Sequence, residues 1–114
     1  MNIEVITYNE IGGAHRWPNA DGEHSYLNHF HRHIFVIECR FAVSHANREI
    51  EIFDMQETIN QYFIENHAQF HTIFDFDTKS CETIADEIIN AFSEKNIISC
   101  TVREDGRGGA CAWR

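Results

Sequence analysis

The sequence predicts an α+β domain built on an antiparallel sheet, and three patterns carry that expectation. Over residues 31–43 the odd positions read His31, His33, Phe35, Ile37, Cys39, Phe41 and Val43, the period of two of a strand with one buried face. Two later segments repeat apolar residues every three or four positions, the period of a helix with one buried stripe. The C-terminal segment alternates again around a glycine-rich turn, as a hairpin does.

Taken in chain order, residues 3–8 read as a first strand, which Gly12 and Gly13 interrupt just before His15. The polar loop over residues 17–28 holds Pro18, the only proline, and loops of that length in a small domain are usually functional or disordered. Residues 44–47 read as a turn after the long strand and residues 48–53 as a returning strand. Asp54 is placed to cap a first helix, with Glu57 completing a capping box and Met55, Ile59, Tyr62 and Phe63 forming the buried stripe. Ser80 is placed to cap a second, whose stripe is Cys81, Ile84, Ala85, Ile88, Ile89 and Phe92. Both stripes suit helices lying on one sheet. Residues 97–104 and 110–113 form the last hairpin around Gly106, Gly108 and Gly109. That glycine turn lacks the Lys-Ser or Lys-Thr ending of a phosphate loop and reads as turn chemistry.

At 114 residues with 43% hydrophobic content, the chain supports one domain with one core, residues 1–114. Its longest unbroken aliphatic or aromatic run, residues 34–37, is far short of the ~20 residues that span a bilayer, and the N-terminal segment lacks a basic stretch followed by an apolar one. A net charge of -9 has the wrong sign for a phosphate backbone, so nucleic acid is not an expected partner. Cys39, Cys81, Cys100 and Cys111 form no C-x-x-C pair, which favours reduced thiols and a cytoplasmic location. Cys39, Cys81 and Cys100 fall on apolar stripes, where a thiol packs as a small hydrophobe.

His31 and His33, two apart on a strand, point the same way with ~7 Å between Cα atoms, close enough for both imidazoles to reach one ion about 2 Å from each nitrogen. His29 has the same parity but would stand ~13 Å from His33, so a third ligand must come from elsewhere. Three imidazoles with an open fourth position make a catalytic rather than a structural zinc site. The same spacing is also met by polar residues at a strand end.

Several segments share an order with one known family. Gly13-Ala14-His15-Arg16-Trp17-Pro18 resembles A-A-H-R-L-P, and Phe30-His31-Arg32-His33-Ile34-Phe35 resembles L-H-G-H-x-[FY]. Ile52-Phe53-Asp54-Met55 is similar to V-[IM]-D-F, Ser80-Cys81-Glu82-Thr83-Ile84-Ala85 to T-[ST]-E-x-x-A, and Val102-Arg103-Glu104 to V-x-E. Ala110-Cys111-Ala112-Trp113-Arg114 resembles the closing strand. These are the motifs of the 6-pyruvoyltetrahydropterin synthase and 6-carboxytetrahydropterin synthase family. The resemblance implies the tunnelling fold, an antiparallel four-stranded sheet with two helices on one face. It further implies Zn2+ held by His15, His31 and His33, a pterin ring gripped by Glu104, and His71 as a catalytic group. The implied reaction is a zinc-dependent lyase step on a dihydropterin triphosphate, in a homohexamer made as a dimer of trimers with the pocket shared between neighbours. Glu104 read without the resemblance is better taken as a solvated strand-end residue.

The chain departs from the family at three places. The cysteine base of C-x-x-x-H-G-H is replaced by Leu27, or by Tyr26 if one residue is inserted, and a tyrosine of ordinary pKa about 10 is no base at neutral pH. Gln69-Phe70-His71-Thr72-Ile73-Phe74-Asp75 resembles L-D-H-x-x-L-[DN] with Phe70 in place of the aspartate that orients His71, leaving Asp75 or Asp77 as substitutes. Arg32 replaces the glycine between the two histidines, on the opposite strand face. Glu23, His24 and His29 are the alternative bases. Two other readings stay open: a pterin- or metal-binding homologue that has lost turnover, and a metal-free tunnelling-fold relative similar to dihydroneopterin aldolase.

Overall fold

Two thirteen-residue strands, β1 (Ile3–His15) and β2 (His31–Val43), pair antiparallel along their whole length, with Ile3 opposite Val43 and His15 opposite His31. They form the spine of the computed structural model, which describes residues 2–114. The chain continues through helix α1 (Ile52–Asn66), the short strands β3 (Gln69–Phe70) and β4 (Ile73–Asp75), and helix α2 (Cys81–Ala91). Strands β5 (Ile97–Glu104) and β6 (Gly108–Trp113) follow as a closing hairpin. The sheet order is β3-β4-β1-β2-β5-β6, and β4 runs parallel to β1, placing Phe74 opposite Gly13.

The α+β class is as the sequence predicts, but the expected four-stranded antiparallel sheet is a six-stranded mixed one. Strands β3 and β4 hold two and three residues, too few for an alternation to register in sequence. The first strand also runs on through Gly12 and Gly13 instead of stopping there. Gly13 is required by packing: a Cβ at this position would lie 2.4 Å from the ring of Phe76. Gly109 plays the same part in β6, where a Cβ would meet the Val102 carbonyl oxygen at 1.8 Å.

Residues 48–51 do not form the expected returning strand. Arg48 takes a left-handed backbone, and the Glu51 carboxylate accepts the Asp54 N–H at 2.7 Å, so α1 is capped by Glu51, three residues before Asp54. The second cap falls where expected, with Ser80 Oγ accepting the Thr83 N–H at 3.2 Å. The loop after β1 is shaped by a 3₁₀ turn, Gly22–Asn28.

Both helices cover the sheet face that carries Phe35, Ile37, Cys39 and Phe41, each fully buried. Ile59 and Phe63 of α1, Ile84 and Ile88 of α2, and Phe76 close over them. Burying each such side chain contributes about 1.5–3 kcal/mol, so this face anchors the strand end where β1 and β2 present their histidines. Cys39 and Cys100, opposite in register, pack with sulfurs 3.8 Å apart. Among the described residues, no helix is long and apolar enough to cross a membrane.

Candidate metal centre

His15 ends β1, His31 begins β2 directly opposite, and His33 lies two residues on, opposite Gly13. Their parity puts all three on the helix-covered face, in line with Phe35. The Phe35 ring meets His15 edge-on at 5.2 Å and His33 at 5.6 Å, giving the cluster an apolar floor. The imidazole centroids are 4.6, 5.2 and 5.0 Å apart, and one ring nitrogen from each histidine falls within 4.8 Å of the others. His15 is buried, and the other two are half-buried.

Each imidazole has its Nδ1 tied to an oxygen. His15 Nδ1–H donates to the Lys79 carbonyl at 2.8 Å, His31 Nδ1–H to the His29 carbonyl at 2.9 Å, and His33 Nδ1–H to Asp105 Oδ2 at 2.7 Å. Because those acceptors need a proton, a neutral ring keeps its lone pair on Nε2, the arrangement in which outer hydrogen bonds orient metal ligands. Burial lowers the pKa of His15; the Lys79 carbonyl and Glu104 oppose that shift, and the nearby His31 and His33 add to it, so the neutral form prevails at pH 7.

The freed nitrogens face an anion. His15 Nε2 lies 3.3 Å from Glu104 Oε1 and His33 Nε2 3.5 Å from Oε2, while His33 Nε2 is buried without a hydrogen-bond partner. Lone pairs turned on a carboxylate repel it, and a cation at their convergence relieves that repulsion. The residues therefore fit a metal ion. Imidazole donors suit zinc, copper, iron or nickel.

Asp105 also accepts the Ile34 N–H at 2.8 Å, so the β5–β6 turn grips the ligand strand with both carboxylate oxygens. The His33 hydrogen bond and the Ile34 N–H hold the Asp105 carboxyl below its ordinary pKa. Asp105→Ala is expected to weaken metal affinity ~10- to 100-fold, read by competition with a chromogenic chelator.

Beside the cluster opens a cleft of about 480 Å³ whose walls include Trp17, Leu27, Lys79, Cys81, Glu104 and Gly109. Cys81, expected to be a packing residue, is buried but also donates its S–H to Glu104 Oε1 at 3.5 Å. Burial, reinforced by the Glu104 carboxylate, pushes this thiol up to about 12, so at neutral pH it is a proton donor and not a thiolate base. The signal for its second role was its position just after the Ser80 cap, at the helix end nearest the histidines.

Other candidates are placed apart. His71 is exposed, with a left-handed backbone at the turn between β3 and β4, and does not line the cleft. Phe70 beside it is also exposed. Asp75 accepts the Asp77 N–H at 2.8 Å and Asp77 pairs with Arg16 at 3.8 Å, so both carboxylates are engaged elsewhere. Glu23 and His24 pair with each other at 3.5 Å on the exposed 3₁₀ turn, and the His29 side chain is exposed while its carbonyl serves His31. Of the two positions offered for the missing cysteine, Leu27 lines the cleft and Tyr26 is exposed. Arg32 is exposed on the strand face opposite the histidines, as its parity requires.

Fold and site together define the class: an α+β domain with a three-histidine cluster that can hold a metal ion beside a cleft. No protein-family model matches the chain, and no curated protein matches it.

Proposed function

We propose that this chain is a zinc-dependent lyase-like enzyme of the tunnelling-fold type, acting on a dihydropterin triphosphate in the cytoplasm. The observation that carries this reading is the set of three converging imidazoles with Nδ1 tied to oxygens, two of which, His15 and His33, turn Nε2 toward Glu104, beside a cleft large enough for a bicyclic ring. His15, His31 and His33 would hold the ion, which would supply Lewis-acid polarisation of an oxygen on the substrate side chain. Glu104 accepts paired N–H bonds from the pterin ring and so fixes its register, while the Cys81 S–H steadies the carboxylate from behind. Trp17 and Leu27 supply apolar walls that favour a flat ring.

His71 takes part through a neighbouring subunit. Strands β3 and β6 are the sheet's outer strands, each with one side unpaired in the chain, and pairing between copies removes those edges. A homohexamer made as a dimer of trimers places the β3–β4 turn of one copy at the cleft of the next.

The test is zinc-loaded protein incubated with dihydroneopterin triphosphate, followed by release of inorganic triphosphate and by the ultraviolet spectrum of the pterin. Turnover that falls at least ~100-fold in Glu104→Gln, through weaker binding and orientation, is the expected result. Absence of turnover at full zinc occupancy would overturn the enzymatic reading.

A second reading, a pterin- or metal-binding homologue without turnover, is favoured by Leu27 in the cleft where the family has its base and by the protonated Cys81. Pterin bound in the zinc-loaded protein with no triphosphate released distinguishes it.

A further inference from the structure

We propose that Lys79 and Glu87 are positioning residues of the metal centre: their ion pair, packed between the two helices, holds the Lys79 carbonyl where it orients His15. The inference rests on the three-histidine reading of the site and adds to it a set of residues that touch neither metal nor substrate with their side chains.

Lys79 faces two ways. Its carbonyl oxygen accepts the His15 Nδ1–H at 2.8 Å, and its ammonium turns away to Glu87 Oε1 and Oε2 at 3.1 and 3.3 Å. Glu87 lies two turns into α2, and its carboxylate also accepts the Tyr62 hydroxyl of α1 at 2.7 Å. His67, just past the end of α1 and with its side chain almost wholly buried, completes the group: its Nε2 lies 3.0 Å from Lys79 Nζ and 3.2 Å from Glu87 Oε1, accepting from the ammonium in one tautomer and donating to the carboxylate in the other. Burial alone would raise the Glu87 carboxyl, but hydrogen bonds from His67, Tyr62 and Lys79 hold it down to about 2, so the carboxylate stays charged across the physiological range.

The segment from Phe76 to Ser80 needs such an anchor. It leaves β4, crosses the end of β1 and enters α2, tied down by Phe76 N–H to the Ala14 carbonyl and Arg16 N–H to the Asp77 carbonyl, each 2.9 Å. Asp77 in its middle takes a left-handed backbone, so local geometry alone does not favour this path. The ion pair ties the residue whose carbonyl meets His15 to the body of α2 and, through the Tyr62 hydroxyl on Glu87, to α1. A lysine placed only for solubility would leave its ammonium in water, whereas this one is two-thirds covered and bonded to a partly buried carboxylate.

The experiment uses the full chain carrying Lys79→Met, which keeps the carbonyl and the apolar stem, and Glu87→Gln, which keeps the shape. Zinc affinity is read by chelator competition, the ligand field by the visible absorption of the Co2+ form, and the His15 Nδ1–H by its downfield proton resonance in metal-free protein. Both variants are expected to lose ~10- to 100-fold in zinc affinity, to alter the Co2+ band and to shift or exchange-broaden the His15 resonance. Lys79→Arg, which can remake the pair, is expected to restore affinity to within about threefold of the parent.

If the pair served only to join the helices, Lys79→Met and Glu87→Gln would lower the thermal midpoint while affinity, Co2+ band and resonance stayed as in the parent, and that result overturns the proposal. Should Lys79→Met fail to fold, Glu87→Gln alone decides the matter by the same readouts. A parent protein that binds neither Zn2+ nor Co2+ defeats the metal reading itself. The metal-free resonance then still judges whether Lys79 orients His15.

Discussion

Alanine at His15 is expected to reduce zinc affinity by ~10³-fold, the largest effect of any single change at the site. Zinc held by four protein ligands is bound by roughly 10–16 kcal/mol, so one ligand carries about 2.5–4 kcal/mol, a factor of ~10² to 10³. His15 falls at the upper end because it is the buried member of the three, its ring fixed by the Lys79 carbonyl on one side and by Phe35 beneath. His31→Ala and His33→Ala are expected to lose somewhat less, because both rings are more exposed and an incoming water replaces the missing nitrogen more readily. Chelator competition on the three variants gives the order directly. Unchanged stoichiometry and affinity in His15→Ala would show that any bound zinc sits elsewhere.

Phe35→Ala is expected to destabilise the fold by about 3–5 kcal/mol, the cost of removing a large buried ring whose space cannot collapse. Phe35 is fully buried, and its ring stands edge-on to His15, His33 and Phe76, the last at 5.0 Å. The ring therefore joins the hydrophobic core to the floor of the histidine cluster. The midpoint of urea unfolding is expected to fall sharply, and zinc affinity to drop with it as two of the three ligands lose their support. Ile37→Val, one step along the same row and equally buried, is expected to cost only about 0.5–1.5 kcal/mol and to leave zinc affinity alone. A loss below ~1 kcal/mol for Phe35→Ala would mean that this floor does not hold the cluster.

Much of the architecture was legible where the pattern is long. The odd positions of β2 and the stripe of α2 each repeat often enough for one period to stand out, and the Ser80 cap is a local hydrogen bond between residues three apart. Short or mixed signals misled. Residues 48–51 alternate like a strand, yet the Glu51 carboxylate competes with the ladder by capping α1, and the two-strand edge of β3 and β4 is too brief to show any period. Gly12 and Gly13 resembled a break because glycine weakens strands, whereas Gly13 marks the close approach of Phe76.

From the sequence alone it follows that His31 and His33 share a face with the apolar row of their strand, because side-chain direction along a strand is a property of the local backbone. Only the folded chain decides that His15 stands opposite His31, that the Lys79 carbonyl 64 residues away and the Asp105 carboxylate 72 residues beyond His33 select the tautomers, and that His71 lies outside the cleft of its own chain. Those relations depend on strand register and on how the helices bury the sheet, which are set by the burial of the whole molecule and by no short stretch of it.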